Sequence, residues 1–230
     1  MTLDWGVLAR EASRKSVHVA GVAVPLAYYF FLSREPILLL LGAAVLAAAV
    51  LEYIRLSGNP IFPRLLLRGH EERGVVGGYF FALLSSFLAV LLFDKPVAVA
   101  AMLFLDVGDA VTGLVGALMT MLIGPKEADK RDYRIQKRSL PDELLYAASH
   151  PKSPVLMAVM FIICGLIGLA FYPSLPLIAA IAGATGAVVA DAFPWRLLGF
   201  TVDDNLSIPL LSGALMWLAI IIFTPCWQPI

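Results

Sequence analysis

Apolar positions in this chain come in long blocks, not at the period of an amphipathic helix or a strand. Seven such stretches lie near residues 16–32, 36–54, 75–93, 96–123, 154–172, 174–194 and 208–224, with polar segments between them. Each is at least about 17 residues long, enough for an α-helix to cross the hydrocarbon core. The pattern predicts an all-α, polytopic membrane bundle of about seven transmembrane helices. It also predicts a single domain over 1–230, since no internal repeat is visible.

The fourth block is interrupted. In Leu103 to Gly116, LFLDVGDAVTGLVG, two aspartates and two glycines break a run that is otherwise apolar from Val97 to Ile123. On an α-helix Asp106 and Asp109 fall one turn apart, on a face that Gly113 and Gly116 continue. A charged side chain at mid-span costs about 2.5 to 3.5 kcal/mol, so it normally faces a cavity, a partner cation or a metal. Two carboxylates a turn apart also repel unless a cation sits between them. An aspartate pair neutralised by an arginine purely for packing is the alternative, and glycines at this spacing promote helix packing by themselves.

Composition agrees with the block pattern. With 60% hydrophobic and 15% charged residues and a mean hydropathy of +0.85, the chain is too apolar for an ordinary soluble domain. The formal net charge is zero, but its distribution is uneven: of the 17 basic residues, all but Arg34 and Lys95 fall before the first block, between the second and third, between the fourth and fifth, or after the sixth. The positive-inside rule then places the N-terminus and the basic loops in the cytoplasm and the C-terminus outside. Cys164 and Cys226 make neither a disulfide framework nor a metal cluster. The first apolar run lacks a convincing cleavage site and carries His18 beside Arg14 and Lys15, so it reads as a retained span.

The polar chemistry gathers at the same side. Residues 1–13 suit either a short amphipathic surface helix or a frayed tail. Arg14, Lys15 and His18 can share one helix face at the mouth of the first span, or the two cations can serve as snorkelling anchors. Glu52 and Arg55, one turn apart, can pair with each other. The next loop holds an amphipathic 61–67 piece suited to the interface, then His70, Glu71, Glu72 and Arg73, and a Gly77-Gly78-Tyr79 step that implies close backbone approach. The basic loop at 124–153 suits anionic phosphate, either of a nucleotide or of lipid headgroups. Lys137, Arg138 and Ser139 are its sharpest part. After Asp191, the run Asp203, Asp204, Asn205 makes a hard-oxygen set for Mg2+, or simply turn chemistry before a helix that Ser207 and Pro209 would start.

Taken in order, RKSVHVAG, Glu52 with Arg55, Glu71/Glu72 with GGY, DVGDAVTGLVG, the basic KRS loop and DAFP followed by DDNLSIP resemble the CTP-dependent lipid-alcohol kinases: dolichol kinase, phytol kinase and the CTP-dependent diacylglycerol kinase. The resemblance covers essentially all seven blocks. It implies a kinase that transfers the γ-phosphate of CTP, with Mg2+, to the hydroxyl of a membrane isoprenoid alcohol at the cytoplasmic face, with no nucleic-acid partner. Arg14, Lys15, Asp109 and Gly116 then belong to catalytic motifs, and Asp204 and Asn205 to the closing box. On this reading His18 or a carboxylate accepts the alcohol proton. Gly113, Gly116, Lys137, Arg138, Ser139 and Asn205 contact the nucleotide. Asp106, Asp109, Asp203 and Asp204 hold the metal, and Glu52, Arg55, Glu71, Glu72 and Asp191 support them.

Two departures stand out. The family's Lys-Ser/Thr-Leu-Glu-Gly-Ser element reads Arg138, Ser139, Leu140, Pro141, Asp142, Glu143 here, and Asp191 occupies a position that is usually Glu. A CDP-lipid-forming cytidylyltransferase would use the same nucleotide, but its C-terminal signature is missing. An ion-coupled transporter would want polar groups on both sides of the membrane.

Overall fold

A computed structural model describes residues 15–16, 18–58, 75–123, 140–197 and 200–224. Among them the fold is helical apart from one two-stranded ribbon. The helices are α1 (Ala23–Phe30, preceded by helical residues 18–21), α2 (Arg34–Leu56), α3 (Gly78–Leu92), α4 (Lys95–Leu103), a π-helical segment (Phe104–Asp109), α5 (Ala110–Ile123), α6 (Leu140–Ser149), α7 (Pro154–Ala170), α8 (Leu177–Ala192) and α9 (Asp204–Phe223). Strands β1 (Arg196–Leu197) and β2 (Phe200–Thr201) lie between the last two helices.

Each of the seven apolar blocks carries a helix, but they differ in reach. Among the described residues, three helical stretches are long and apolar enough to cross a membrane: Arg34–Leu56, Lys95–Leu122 and Asp204–Phe223. A fourth arises if α6 and α7, bent by 92° where Pro154 opens α7, form one span. His18–Phe30, Gly78–Leu92 and Leu177–Ala192 are apolar but shorter.

The stretch α4–π–α5 is the axis of the bundle. Within its apolar window 72% is buried, against 22% for α2 and 33% for α9. Val97 through Leu105 are all buried, so this helix is apolar all round because protein surrounds it. Outer helices instead turn apolar side chains outward, as at Leu39, Leu46 and Val50 on α2.

Small residues set the closest approach. Around α8, a Cβ on Gly183 would lie 2.4 Å from Met216, and one on Gly186 would lie 2.9 Å from the Ser212 backbone; both neighbours are on α9. Gly168 of α7 meets Ala180 of α8 in the same way, while Gly165 faces open space and has no such role. Arg34 and Lys95, the two cations outside the basic loops, serve helix ends. Arg34 donates to the carbonyls of Val90 and Leu91 at the end of α3, and Lys95 to that of Leu32.

Two local expectations are corrected. The final helix begins at Asp204, with Asp203 as its N-cap, and Pro209 lies inside it. The Asp203 carboxylate accepts from the Asn205 N–H at 2.9 Å, satisfying one of the free donors at the helix start. Residues 104–109 form a π-helix, not an α-helical turn. Asp109 there meets Lys15 and His18, and Asp106 lies against Gly21 of the same N-terminal region.

Candidate functional site

The ribbon explains how two distant acids meet. Asp191 ends α8 and Asp204 begins α9. Between them Arg196 pairs with Thr201 and Leu197 with Phe200, turning the chain back on itself. The Val202 N–H donates to the Trp195 carbonyl, and the Trp195 indole donates to Val189 within α8, each at 2.9 Å. The start of α9 is thereby held beside the end of α8.

Asp109, at the end of the π-helix, completes the group. One carboxylate oxygen from each of Asp109, Asp191 and Asp204 lies within 4.8 Å of the other two, and all three residues are buried. Three anions so close in an apolar bundle require cations. Two are present. Lys15, only 3% exposed, donates to Asp109 Oδ2, and Lys152 Nζ donates to Asp191 Oδ1 at 2.6 Å. The backbone N–H of Lys152 also donates to the carbonyl of Ala192 at 2.9 Å, fixing the lysine to the end of α8. His18 Nε2 stands 3.8 Å from Asp109 Oδ2, one turn along from Lys15. The surplus of negative charge and the all-oxygen donors suit a hard divalent cation.

Several sequence-predicted residues meet here: Lys15, His18, Asp109 and Asp204, with Asp191 promoted from a supporting position to the centre. Two expected metal ligands do not join the group. Asp203 is used as the cap of α9, and Asp106 lies against Gly21, where a Cβ would approach its Oδ1 to 2.8 Å. Gly116 faces Leu156 of α7, where an added Cβ would lie 3.5 Å from its side chain in ordinary van der Waals contact. Gly113 is partly buried on the same helix. Arg14, Glu71, Glu72, Lys137, Arg138 and Ser139, and all of the basic loop before Leu140, lie outside the described residues. Lys152 was legible only as a topology charge; its place just before the Ser153-Pro154 helix start was the signal that it sits at a mouth.

Asn205 links the site to α3. It is buried; its Nδ2 donates to the Gly78 carbonyl at 3.1 Å, and its own carbonyl accepts from the Ser85 hydroxyl at 2.7 Å. Its Oδ1 has no hydrogen-bond partner among the described residues. The start of α3 is itself gripped by Glu52, whose carboxylate accepts from Arg55 Nε and Nη2 at 3.0 and 2.7 Å, from the Tyr79 hydroxyl at 2.5 Å and from the Gly77 N–H at 3.2 Å. Arg55 adds a bond to the Val75 carbonyl at 2.6 Å. Glu52 and Arg55 therefore pair with each other and clamp the Gly-Gly-Tyr step.

Glu52→Ala should be costly, because it strands a buried guanidinium. A loss of about 3 to 5 kcal/mol is expected, the range for breaking one side of a buried ion pair, read as a lowered thermal midpoint of the purified protein.

No protein-family model matches the chain, and neither does any curated protein or solved structure.

Proposed function

We propose that the protein is a membrane phosphotransferase that moves the γ-phosphate of CTP to the hydroxyl of an isoprenoid alcohol of the dolichol or polyprenol type, giving a lipid monophosphate. The observation that carries this reading is the buried group of Asp109, Asp191 and Asp204, flanked by Lys15, Lys152 and His18, in a bundle of apolar helices. Phosphoryl transfer asks little covalent chemistry of a protein; it asks for charge neutralisation and alignment, which is what such a set of side chains offers.

Mg2+ held by Asp109, Asp191 and Asp204 would supply charge neutralisation on the phosphate oxygens. Lys15 and Lys152 are placed to offset negative charge on the phosphoryl group in flight, and each is held by a carboxylate before substrate arrives. Burial removes competing water, so these charges act in a low-dielectric setting. The choice of CTP, and roles for Arg14, Lys137, Arg138 and Ser139 on the nucleotide, rest on the motif resemblance.

The same reading takes the seven helical blocks as seven spans, with the N-terminus and the site at the cytoplasmic face. Its support is the one-sided distribution of basic residues in the sequence.

The decisive assay is transfer of radiolabel from γ- or α-labelled CTP to dolichol, phytol, geranylgeraniol and diacylglycerol by the purified protein with Mg2+. Label from the γ-position in an organic-soluble monophosphate is expected. Label from the α-position would mean a cytidylyltransferase, and transfer from neither position would overturn the reading.

A further inference from the structure

Resting on the part of that reading that gives Asp204 to the metal, we propose that Asn205 is a positioning residue: bonded to α3 at two points, it holds the start of α9 so that the neighbouring Asp204 keeps its place beside Asp109 and Asp191. The need for such a tether follows from charge. Three carboxylates with oxygens within 4.8 Å of one another repel, and each must be held against that repulsion. Asp109 and Asp191 have lysines, Lys15 and Lys152, bonded directly to them. Asp204 stands in the first turn of α9, so its place depends on how that helix start is fixed.

Two supports among the described residues fix it, and they come from different helices. The ribbon ties the approach to α9 to the end of α8, through Val202 and Trp195. Asn205 ties α9 to α3: its Nδ2 donates to the Gly78 carbonyl at 3.1 Å, and its own carbonyl accepts from the Ser85 hydroxyl at 2.7 Å. Gly78 and Ser85 lie about two turns apart and so share a face of α3. Asn205 and Ser85 are 2% and 0% exposed, a low-dielectric setting that strengthens both bonds. Successive residues on an α-helix point about 100° apart, which lets Asn205 face α3 while Asp204 faces the other acids.

The anchor on α3 is itself firmly held. Glu52 of α2 accepts from the Gly77 N–H and the Tyr79 hydroxyl, on either side of Gly78, and Arg55 holds both the Glu52 carboxylate and the Val75 carbonyl. The line of support runs from the Glu52–Arg55 pair through Gly78 to Asn205, and so to Asp204. The motif resemblance gives Asn205 to the nucleotide; here its amide nitrogen donates to the protein's own backbone.

The test is a double-mutant cycle on the full chain in lipid nanodiscs, titrated with Mn2+ as a paramagnetic stand-in for Mg2+ and read by electron paramagnetic resonance. Asp204→Asn removes the ligand. Asn205→Ala removes the side-chain bond to Gly78 and keeps the backbone N–H that Asp203 caps. Asn205→Ala should weaken Mn2+ binding about 10-fold or more. In the Asp204→Asn background the same change should alter Mn2+ affinity by less than about twofold, because its effect runs through Asp204; a merely structural loss would appear equally in both backgrounds. Ser85→Ala removes the other bond, should weaken Mn2+ binding about threefold, and takes the place of Asn205→Ala if that variant does not fold. Wild-type Mn2+ affinity in the deciding variant would overturn the proposal, and so would equal losses in both backgrounds. The label assay is read separately. A wild type that binds Mn2+ through Asp204 without transferring phosphate sinks the kinase reading alone, whereas Mn2+ binding that ignores Asp204→Asn sinks the metal assignment and this inference together.

Discussion

Asp109→Asn is expected to reduce turnover by about 1,000-fold or more, the scale of losing a group that organises charge on the transferred phosphoryl. Asparagine keeps the size of the side chain and one oxygen that can accept from Lys15, so helicity and the elution volume of the purified protein should stay unchanged. What disappears is one of three carboxylates within 4.8 Å of one another and half of the Lys15 ion pair. Mg2+ dependence of the residual rate should shift to higher concentration. An Asp109→Asn protein that turns over at the wild-type rate would refute the assignment of this carboxylate to the metal and phosphate.

The second large effect separates two neighbouring acids that the sequence could not rank. Asp191→Asn should weaken Mg2+ binding by a factor of about 10 to 100 and lower turnover with it, because Asp191 lies in the carboxylate group and holds Lys152 at 2.6 Å. Asp203→Asn should leave both within about twofold, since asparagine caps a helix as well as aspartate does. Asp203→Ala should cost about 0.5 to 2 kcal/mol of stability through loss of the cap, with Mg2+ affinity unchanged. Titration of each variant with Mg2+, alongside thermal melts, reads both quantities. The opposite ranking, with Asp203 critical and Asp191 dispensable, would restore the sequence-based ligand set.

The all-helical fold follows from features that do not need a third dimension. Long apolar blocks can satisfy their backbone only as helices in a bilayer, so their lengths and their interruptions are visible in one dimension. The glycine pairs in α7 and α8 signal close packing for the same local reason, although Gly165 shows that the pattern overcounts. Glu52 with Arg55 was equally legible, since a separation of three residues on a helix brings opposite charges within reach. Lys15, His18, Asp109 and Asp204, which the structure brings together, stood out as candidates because ionisable groups beside or inside apolar blocks are rare and costly.

The tertiary structure decided which of those groups share one site. Asp191 and Asp204 meet through a ribbon between α8 and α9, and Lys152 reaches Asp191 from the start of α7; neither follows from sequence spacing. Asp203 and Asp204 are adjacent in the chain yet take different work, because a helix start uses one as cap and sends the other inward. Asp106 and Asp109 look equivalent on an α-helical wheel, yet Asp109 meets Lys15, His18 and two other acids while Asp106 lies against Gly21. The physical reason is common to all three cases. Spacing along the chain fixes faces only while the local helix is regular, whereas the approach of charges from different helices is set by how the small residues between those helices let them pack.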